Sequence, residues 1–363
     1  MKKLTRFRIH LASYITVTLL TVLAVFLSAF AFAKPTELHI YTWEDYIAPE
    51  VIAQFETKYN VVVTVTEFDS EFDLLRMYRE TPKLDTYDLI FFSDTIAEEL
   101  RRKNVLAPIQ KKSITNIRNI SASLFDIRTN AEALHAVPYM YGTTGIVVNT
   151  KFIDPSVVTW QTLFDPQYAG KTCLLNDESE VIAAAALAQG FDAIPTSDAA
   201  MHAVTGLVKN YTEYGTYCGD VSLIDELVSE RVWIAQQWNG SAIPALEEHE
   251  HLRYILPPDG ARIWYDYMGI PTGARNVHQA SRFIQYLNEP KVAAQNVNYL
   301  WYASVNQAAR EFVDTEILEN EIIYPRSDTK NKFTSYAAFP YYEAVATMRD
   351  TVYTIMHTGS ILE

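Results

Sequence analysis

The chain of 363 residues contains only two cysteines, Cys173 and Cys218. It has no CxxC pair, and its eight histidines do not show the spacing of a metal ligand set. These absences argue against a metal site. The small-residue stretch at 142–149 lacks the Lys-Ser/Thr ending of a phosphate-binding loop, so a nucleotide site is not predicted there. We expect no cofactor.

Basic residues are also scarce, since 30 Lys and Arg stand against 44 Asp and Glu, for a formal net charge of −14. Residues 1–33 carry four basic and no acidic residues, so the chain without them has a charge of −18. Binding of phosphate backbones requires a basic surface, so nucleic acid is not an expected partner. A cationic ligand, by contrast, would be attracted by this negative field.

Long apolar runs are confined to the amino terminus. Four basic residues within 2–8 precede an apolar run over 11–30, and the small-x-small sequence at 31–33 follows it. This pattern predicts a secretory signal peptide over residues 1–33 that is cleaved after Ala33. An uncleaved membrane anchor is the alternative, because the run approaches the length of a membrane span.

Export would place both cysteines in an oxidising compartment. With two cysteines, Cys173–Cys218 is the single intramolecular pairing, and both residues lie near predicted strands of the same part of the chain. One disulfide is therefore predicted, with two buried free thiols as the alternative.

Strands and helices alternate along the chain. Strands are predicted at 37–43, 61–66, 87–92, 171–175 and 232–238, and helices at 48–59, 71–79, 96–103, 181–189, 277–287 and 291–299, with further helices over much of 306–322 and 340–357. This order predicts an α/β fold with mainly parallel sheets flanked by helices. The length exceeds what one core usually supports, so two lobes are expected.

The predicted first lobe comprises residues 34–145 and 268–305, and the second comprises residues 146–267. The helices of 306–363 are expected to pack back on the lobes. Chain crossings near 143–149 and 267–272 would then form a hinge, which is the geometry of closure around a ligand.

One stretch, residues 260–271, carries the first indication of a ligand. If it is a strand, Trp264 and Asp266 share a face, because side chains alternate with a period of two. An indole ring and a carboxylate that face the same space can bind an organic cation. The alternative is a half-buried edge strand whose Asp266 faces water.

Further candidates follow two predicted strands of the first lobe. Trp43, Glu44 and Tyr46 come after the first strand, and Ser93 and Asp94 come after the third. Ligands of such sheets gather beyond the carboxyl ends of the strands, so these side chains are expected at one edge.

Asp177 and Glu180 have three interpretations. Asp-x-x-Glu before an apolar helix is typical of a capping box, with Asp177 as the N-cap. The same residues could bind a cation, or act as a catalytic carboxylate pair. Adjacent turns of one helix are a poor place for groups that must flank a bond from opposite sides, which argues against the catalytic pair.

At this point the sequence resembles the periplasmic spermidine/putrescine-binding proteins of polyamine ABC importers. The resemblance spans about residues 37–345. It is carried by YTWEDY at 41–46, YDLI at 87–90, VPYMYG at 137–142, NDESE at 176–180, WNGS at 238–241 and WYD at 264–266. It implies a two-lobed periplasmic-binding-protein fold of type II in the periplasm. It further implies a non-enzymatic, monomeric protein that delivers a linear polyamine to a membrane permease and its ATPase.

The resemblance also implies a ligand set of aromatic walls and carboxylates between the lobes. The aromatic members are Trp43, Tyr46, Trp238, Trp264 and Tyr302. The carboxylates are Asp177, Glu180 and Asp266, with Asp45 nearby, and Ser93 is a further contact. The chain departs from the family pattern at Glu44, Asp94 and Thr95, of which Glu44 and Asp94 add acids near the ligand.

Three other functions remain open from the sequence. The same cleft would serve a polyamine sensor that reports to a membrane partner. The fold could instead hold another amine, such as an osmolyte or an opine-like compound, although the many acids argue against betaines. An exported hydrolase would use Asp177 and Glu180, but the chain lacks a second carboxylate motif and a Ser-His-Asp arrangement.

Overall fold

A computed structural model of the chain describes residues 36–68, 70–80, 84–125, 133–326, 333–335 and 342–359. The predicted signal peptide and its cleavage site after Ala33 therefore lie outside the described residues. So do the first two residues of the helix predicted over 340–357.

The strands of the described residues follow the predicted order closely. They are β1 (Thr36–Trp43), β2 (Val61–Phe68), β3 (Leu89–Ser93), β4 (Ile109–Gln110), β5 (Ala133–Leu134), β6 (Val137–Asn149), β7 (Thr172–Leu175), β8 (Thr216–Cys218), β9 (Ile234–Trp238), β10 (Leu252–Ile255), β11 (Ala261–Gly269), β12 (Ala303–Ser304) and β13 (Phe333–Thr334). Eleven of them form one sheet in the order β2-β1-β3-β11-β6-β9-β7-β8, with β10 and β12 on β6 and β13 on β11. Strands β4 and β5 pair separately.

The α-helices lie between these strands. They are α1 (Pro49–Tyr59), α2 (Glu71–Glu80), α3 (Asp94–Arg102), α4 (Trp160–Leu163), α5 (Glu178–Ala188), α6 (Asp198–Tyr211), α7 (Asp220–Val228), α8 (Asn239–Glu248), α9 (Val277–Leu287), α10 (Pro290–Leu300), α11 (Thr315–Glu319) and α12 (Tyr342–Thr358). Short 3₁₀ turns occur at Lys111–Ser113, Thr115–Asn119, Ala122–Phe125, Pro155–Val157, Pro166–Tyr168 and Gln307–Glu311.

The predicted helix content of 306–322 was too high. The structure has only a 3₁₀ turn at Gln307–Glu311 and the five-residue helix α11 there. Asn306 and Asn320 each accept a hydrogen bond from the backbone N–H two residues later. Such local side-chain bonds stabilise turns at the expense of a continuous helix.

The sheet consists of two parallel units joined by an antiparallel pair. Strand β1 is parallel to β2 and β3, and β7 is parallel to β8 and β9. Between them, β11 is antiparallel to both β3 and β6, and β6 is antiparallel to β9. The parallel units follow the prediction, whereas the long antiparallel joint was not foreseen.

Two large hydrophobic cores lie on the two units. The first is covered by α1, α9 and α10, and the second by α4, α5 and α6. Strands β6 and β11 run from one to the other, since Met140 and Met268 pack in the first core and Ile146 and Ala261 in the second. The chain therefore passes between the two halves at these strands.

Helix α12 contacts both halves of the molecule. Met348, Val352 and Ile355 pack in the second core. On the same helix, Arg349 donates to the carboxylate of Glu99 on α3 at 2.7 Å, and both side chains are almost fully buried. The carboxyl-terminal helix thus packs back across the fold.

Strands β7 and β8 carry a disulfide between Cys173 and Cys218, whose Cα atoms are 6.1 Å apart. We expect replacement of both cysteines by serine to lower the free energy of unfolding by about 2–4 kcal/mol, because the bridge closes a long loop in the unfolded chain. Chemical denaturation of oxidised wild type and the double variant measures this difference. Alkylation of two thiols in the oxidised wild type would contradict the bridge.

Candidate ligand-binding cavity

A cavity of about 730 Å³ opens between the two halves. It is lined from the first half by the ends of β1 and β3 and by α2, and from the second half by the starts of α5, α7 and α8. Ten of the eleven predicted ligand residues line it: Trp43, Glu44, Tyr46, Ser93, Asp177, Glu180, Trp238, Trp264, Asp266 and Tyr302. Asp94 does not line the cavity.

Aromatic rings form one wall of the cavity. Trp43 meets Tyr46 edge-on with ring centroids 5.1 Å apart, Tyr46 lies 6.2 Å from Tyr302, and Tyr302 meets Trp264 edge-on at 5.1 Å. These apolar faces attract cations through their quadrupoles, so the wall suits a cationic chain with apolar segments.

Two glycines allow these rings to approach the backbone. A Cβ at Gly142 would lie 2.3 Å from the Trp264 ring, and a Cβ at Gly240 would lie 2.6 Å from the Tyr302 ring. Gly142 pairs with Trp264 across the β6–β11 ladder, which explains why a residue without a side chain is needed there.

We therefore expect Gly142→Ala to displace the Trp264 indole and to weaken ligand binding about tenfold, since overpacking costs about 1–3 kcal/mol. Gly206→Ala is the matched control, because a Cβ there meets nothing within 4 Å and lies on helix α6. Calorimetric titration of both variants gives the comparison. Equal affinity in the two variants would contradict this packing role.

Asp266 is the central carboxylate of the cavity. It comes from β11 opposite Ser93, beside a shift of the β6–β11 register between Tyr265 and Tyr267. It accepts a hydrogen bond from the Tyr46 hydroxyl and is almost fully buried. Burial, with the like charge of Glu71, raises its pKa well above the usual range, although the Tyr46 hydrogen bond opposes the shift. An ammonium placed beside it would favour the ionised form.

Glu71, at the start of α2, is a cavity carboxylate that the sequence reasoning missed. It accepts from the backbone N–H of Ser93 at 2.5 Å and is buried. Burial and the neighbouring Asp177 raise its pKa to about 7. Glu71 lies three residues after the last residue of β2, so the rule that ligands gather beyond strand ends could have identified it.

The alternatives for Asp177 and Glu180 separate in the structure. Asp177 is the N-cap of α5 and accepts from the backbone N–H of Glu180 at 2.9 Å, while it also lines the cavity. The Glu180 carboxylate instead accepts from the Trp238 indole N–H at 3.1 Å and from the Arg262 guanidinium. Burial raises the pKa of Glu180, and the Arg262 charge opposes this shift.

Arg262 is the second residue that the sequence reasoning missed. It lies two positions before Trp264 on β11, so the alternation that placed Trp264 and Asp266 on one face also predicts Arg262 there. Its guanidinium donates to Glu180, to Asp94 at 3.1 Å and to the Thr95 hydroxyl at 2.6 Å. The Asp94 side chain is fully buried, and its carboxylate also accepts a hydrogen bond from the Ser335 hydroxyl at 2.6 Å.

A separate acid lies at the start of α7. Asp220 accepts from the Ser241 hydroxyl at 2.7 Å, and Ser241 in turn lies 2.5 Å from the Tyr302 hydroxyl. Burial raises the pKa of Asp220 to about 6, against the hydrogen bond from Ser241. No strand-end or capping pattern singled out this residue in the sequence.

These carboxylates make a pH-dependent site. A bound cation stabilises their ionised forms, so binding should release protons wherever the free protein holds Glu71 and Asp220 partly protonated. We expect affinity for a cation to fall as the pH is lowered from about 8 to about 5.5, across the raised pKa values of about 7 and about 6. Calorimetry in buffers of different ionisation enthalpy measures the proton release. Affinity that rises toward acid pH would contradict the prediction.

Comparison with known proteins decides the family. A model of bacterial extracellular solute-binding proteins matches residues 50–323, which is about three quarters of the chain. The chain belongs to this family.

Within the described residues, no helix is both long and apolar enough to span a membrane. Nor do the described residues contain a group of three or more His, Cys, Asp or Glu placed to hold a metal ion.

Several members of the solute-binding family are similar over most of their length. The spermidine/putrescine-binding periplasmic protein of Salmonella typhimurium is 26% identical over 311 residues, or 85% of this chain and 89% of the relative. The putrescine-binding periplasmic protein PotF of Escherichia coli is 27% identical over 336 residues, or 87% and 90%. A solved candidate spermidine/putrescine ABC transporter from Listeria monocytogenes superposes with a TM-score of 0.81 at 27% identity, covering 90% of this chain and 100% of that one. The predicted two-lobed binding-protein fold is thereby confirmed.

Proposed function

We propose that this solute-binding protein captures a linear polyamine between its lobes and delivers it to an ABC importer. The observation that carries the proposal is the pairing of buried Asp266 with a wall of aromatic rings in one cavity. A polyamine alternates ammonium groups with methylene segments, and it therefore needs carboxylates separated by flat apolar surfaces. The named relatives support the same ligand class.

The site would bind its ligand without changing it. Closing the cavity removes water from each ion pair and strengthens it, but it also requires every ammonium to find partners. Asp266, Asp177 and Glu71 would supply these partners at one end, and the rings of Trp264 and Tyr302 would cover the methylenes. Ser93 and Trp43 complete the same wall from the first lobe.

The residue boundaries of the two lobes are part of the same proposal. Residues 34–145 with 268–305 would form the first lobe and residues 146–267 the second. The passage of β6 and β11 between the two cores supports crossings near these limits. Closure would then be a rotation about β6 and β11, which brings Asp177 and Trp238 toward Trp43.

The proposed location is the periplasm, after cleavage behind Ala33, and the relatives named as periplasmic proteins support it. The proposed partners are a membrane permease and its ATPase. The binding protein would dock on this complex as a monomer. A solute-binding protein of an importer must release its ligand to such a complex, so closure and reopening are both required.

Thermal unfolding tests the proposed function. Ligand that binds only the folded protein raises the Tm with concentration. We expect putrescine, cadaverine or spermidine to raise the Tm of ligand-stripped residues 34–363, whereas glycine betaine leaves it unchanged. A Tm that responds to none of the linear amines would contradict the proposal.

A further inference from the structure

Arg262 is a buried cation inside a cavity proposed to bind cations. It is only 3% exposed, and it is the one Lys, Arg or His among the described residues that line the cavity. Its guanidinium donates to Glu180 of α5 and to Asp94 and Thr95 of α3. The chain thus supplies its own cation to Glu180 and Asp94 before any ligand enters.

Two further groups of carboxylates line the cavity. The first, which we call the Asp266 group, comprises Glu71, Asp177 and Asp266. Burial, and after it repulsion between these carboxylates, raises the pKa values of Glu71 and Asp266. This group lies beside Arg262, whose charge acts on both Glu71 and Asp266 in the opposite direction. Asp220 forms the other end, with Glu44 as the carboxylate that acts on it.

A pair of tyrosine rings separates these two ends. Tyr46 donates to Asp266, and its ring lies 6.2 Å from that of Tyr302. The Tyr302 hydroxyl contacts Ser241, which donates to Asp220. A linear ligand that follows this ring surface therefore meets a carboxylate at each end and an apolar face in the middle.

We propose that Arg262 takes the place of one ligand ammonium, so that the cavity selects a linear α,ω-diamine over a triamine. One ammonium binds the Asp266 group and the other binds Asp220. A triamine carries a third cation a few methylenes from one end, where it would lie beside the guanidinium or displace it from Glu180. The first outcome brings like charges together, and the second breaks a buried ion pair. This inference rests on the proposed polyamine function.

Competitive calorimetry with putrescine, cadaverine and spermidine tests the inference. Wild type is expected to bind one of the diamines at least tenfold more tightly than spermidine. In Arg262→Gln, this preference should fall by at least tenfold, because Glu180 becomes available to the third ammonium. Arg262→Lys keeps a cation at the same place, and it should retain the wild-type preference.

The two proposals fail differently. Wild type that binds no linear amine refutes the polyamine function itself. Wild type that binds spermidine more tightly than both diamines, or an Arg262→Gln protein with an unchanged preference, overturns only the role of Arg262. If Arg262→Gln does not fold, the triple variant Arg262→Met/Glu180→Gln/Asp94→Asn removes the guanidinium together with the charges of both carboxylates that it binds. That variant should keep the preference for a diamine, because no carboxylate is freed for a third ammonium; loss of the preference in it overturns the inference.

Discussion

Asp266→Asn is expected to weaken polyamine binding by about 2–4 kcal/mol, because it removes the charge of a desolvated anchor without changing its shape. Asp266 is almost fully buried, and its carboxylate accepts a hydrogen bond from the Tyr46 hydroxyl. An ammonium beside the amide would lose one of its counter-ions in a closed cavity, where charges are weakly screened. The fold should tolerate the change, since the native carboxylate is itself costly to bury.

The control for Asp266→Asn is Asp259→Asn. It removes the same charge from an exposed position outside the cavity lining and just before β11. Any effect of net charge on attraction of the ligand appears in both variants, whereas loss of the anchor appears only at Asp266. Similar affinities in the two variants by titration calorimetry would contradict the assignment.

Trp264→Ala is also expected to weaken the free energy of polyamine binding by about 2–4 kcal/mol. The indole lies 5.1 Å from Tyr302 and fills the space left by Gly142. Its loss removes a cation-attracting face and one of the ring contacts of Tyr302. Trp264→Phe keeps part of the apolar face, so it should lose less affinity than the alanine variant.

Because Trp264 belongs to the first core, its removal also costs folding stability. Trp233→Ala separates the two effects, since Trp233 stacks on Phe152 outside the cavity lining, with centroids 4.3 Å apart. We expect Trp233→Ala to lower the Tm and leave ligand affinity unchanged. Equal affinity losses in Trp233→Ala and Trp264→Ala would show that the Trp264 effect is only structural.

The local fold could be predicted because its periodicity is strong. The predicted bounds of helix 277–287 agree with α9, and the β-branched run at 61–66 is β2. Pro49 at the start of α1 marked a helix beginning that the structure retains. The antiparallel joint of β6 and β11 depends on pairing between residues about 120 positions apart, and no local pattern reports such pairing.

The candidate site was predictable where aromatic and acidic residues follow strands. Trp43, Tyr46 and Ser93 meet at the cavity for that reason. Asp94 was also expected there, but Arg262 and Ser335 hold its carboxylate away from the cavity. The direction of a side chain at a helix start depends on such distant partners.

The missed residues illustrate two limits of sequence reasoning. The alternation of side chains along a strand would have placed Arg262 on the same face as Trp264 and Asp266. It was missed because a site for cations is expected to contain acids and not a buried cation. Asp220 was beyond reach, because its place in the cavity depends on the pairing of β7, β8 and β9 and on contact with Ser241. Tertiary packing, and not local pattern, creates that end of the site.

Titration calorimetry of refolded, ligand-stripped residues 34–363 with putrescine, cadaverine, spermidine and spermine tests the central claim most directly. The structure predicts one-to-one binding of a linear amine. Proton release near neutral pH is expected, because burial and the neighbouring Asp177 raise the pKa of Glu71 to about 7. The absence of binding heat for all four amines, in more than one buffer, would contradict a polyamine function and leave the solute-binding fold with a different ligand.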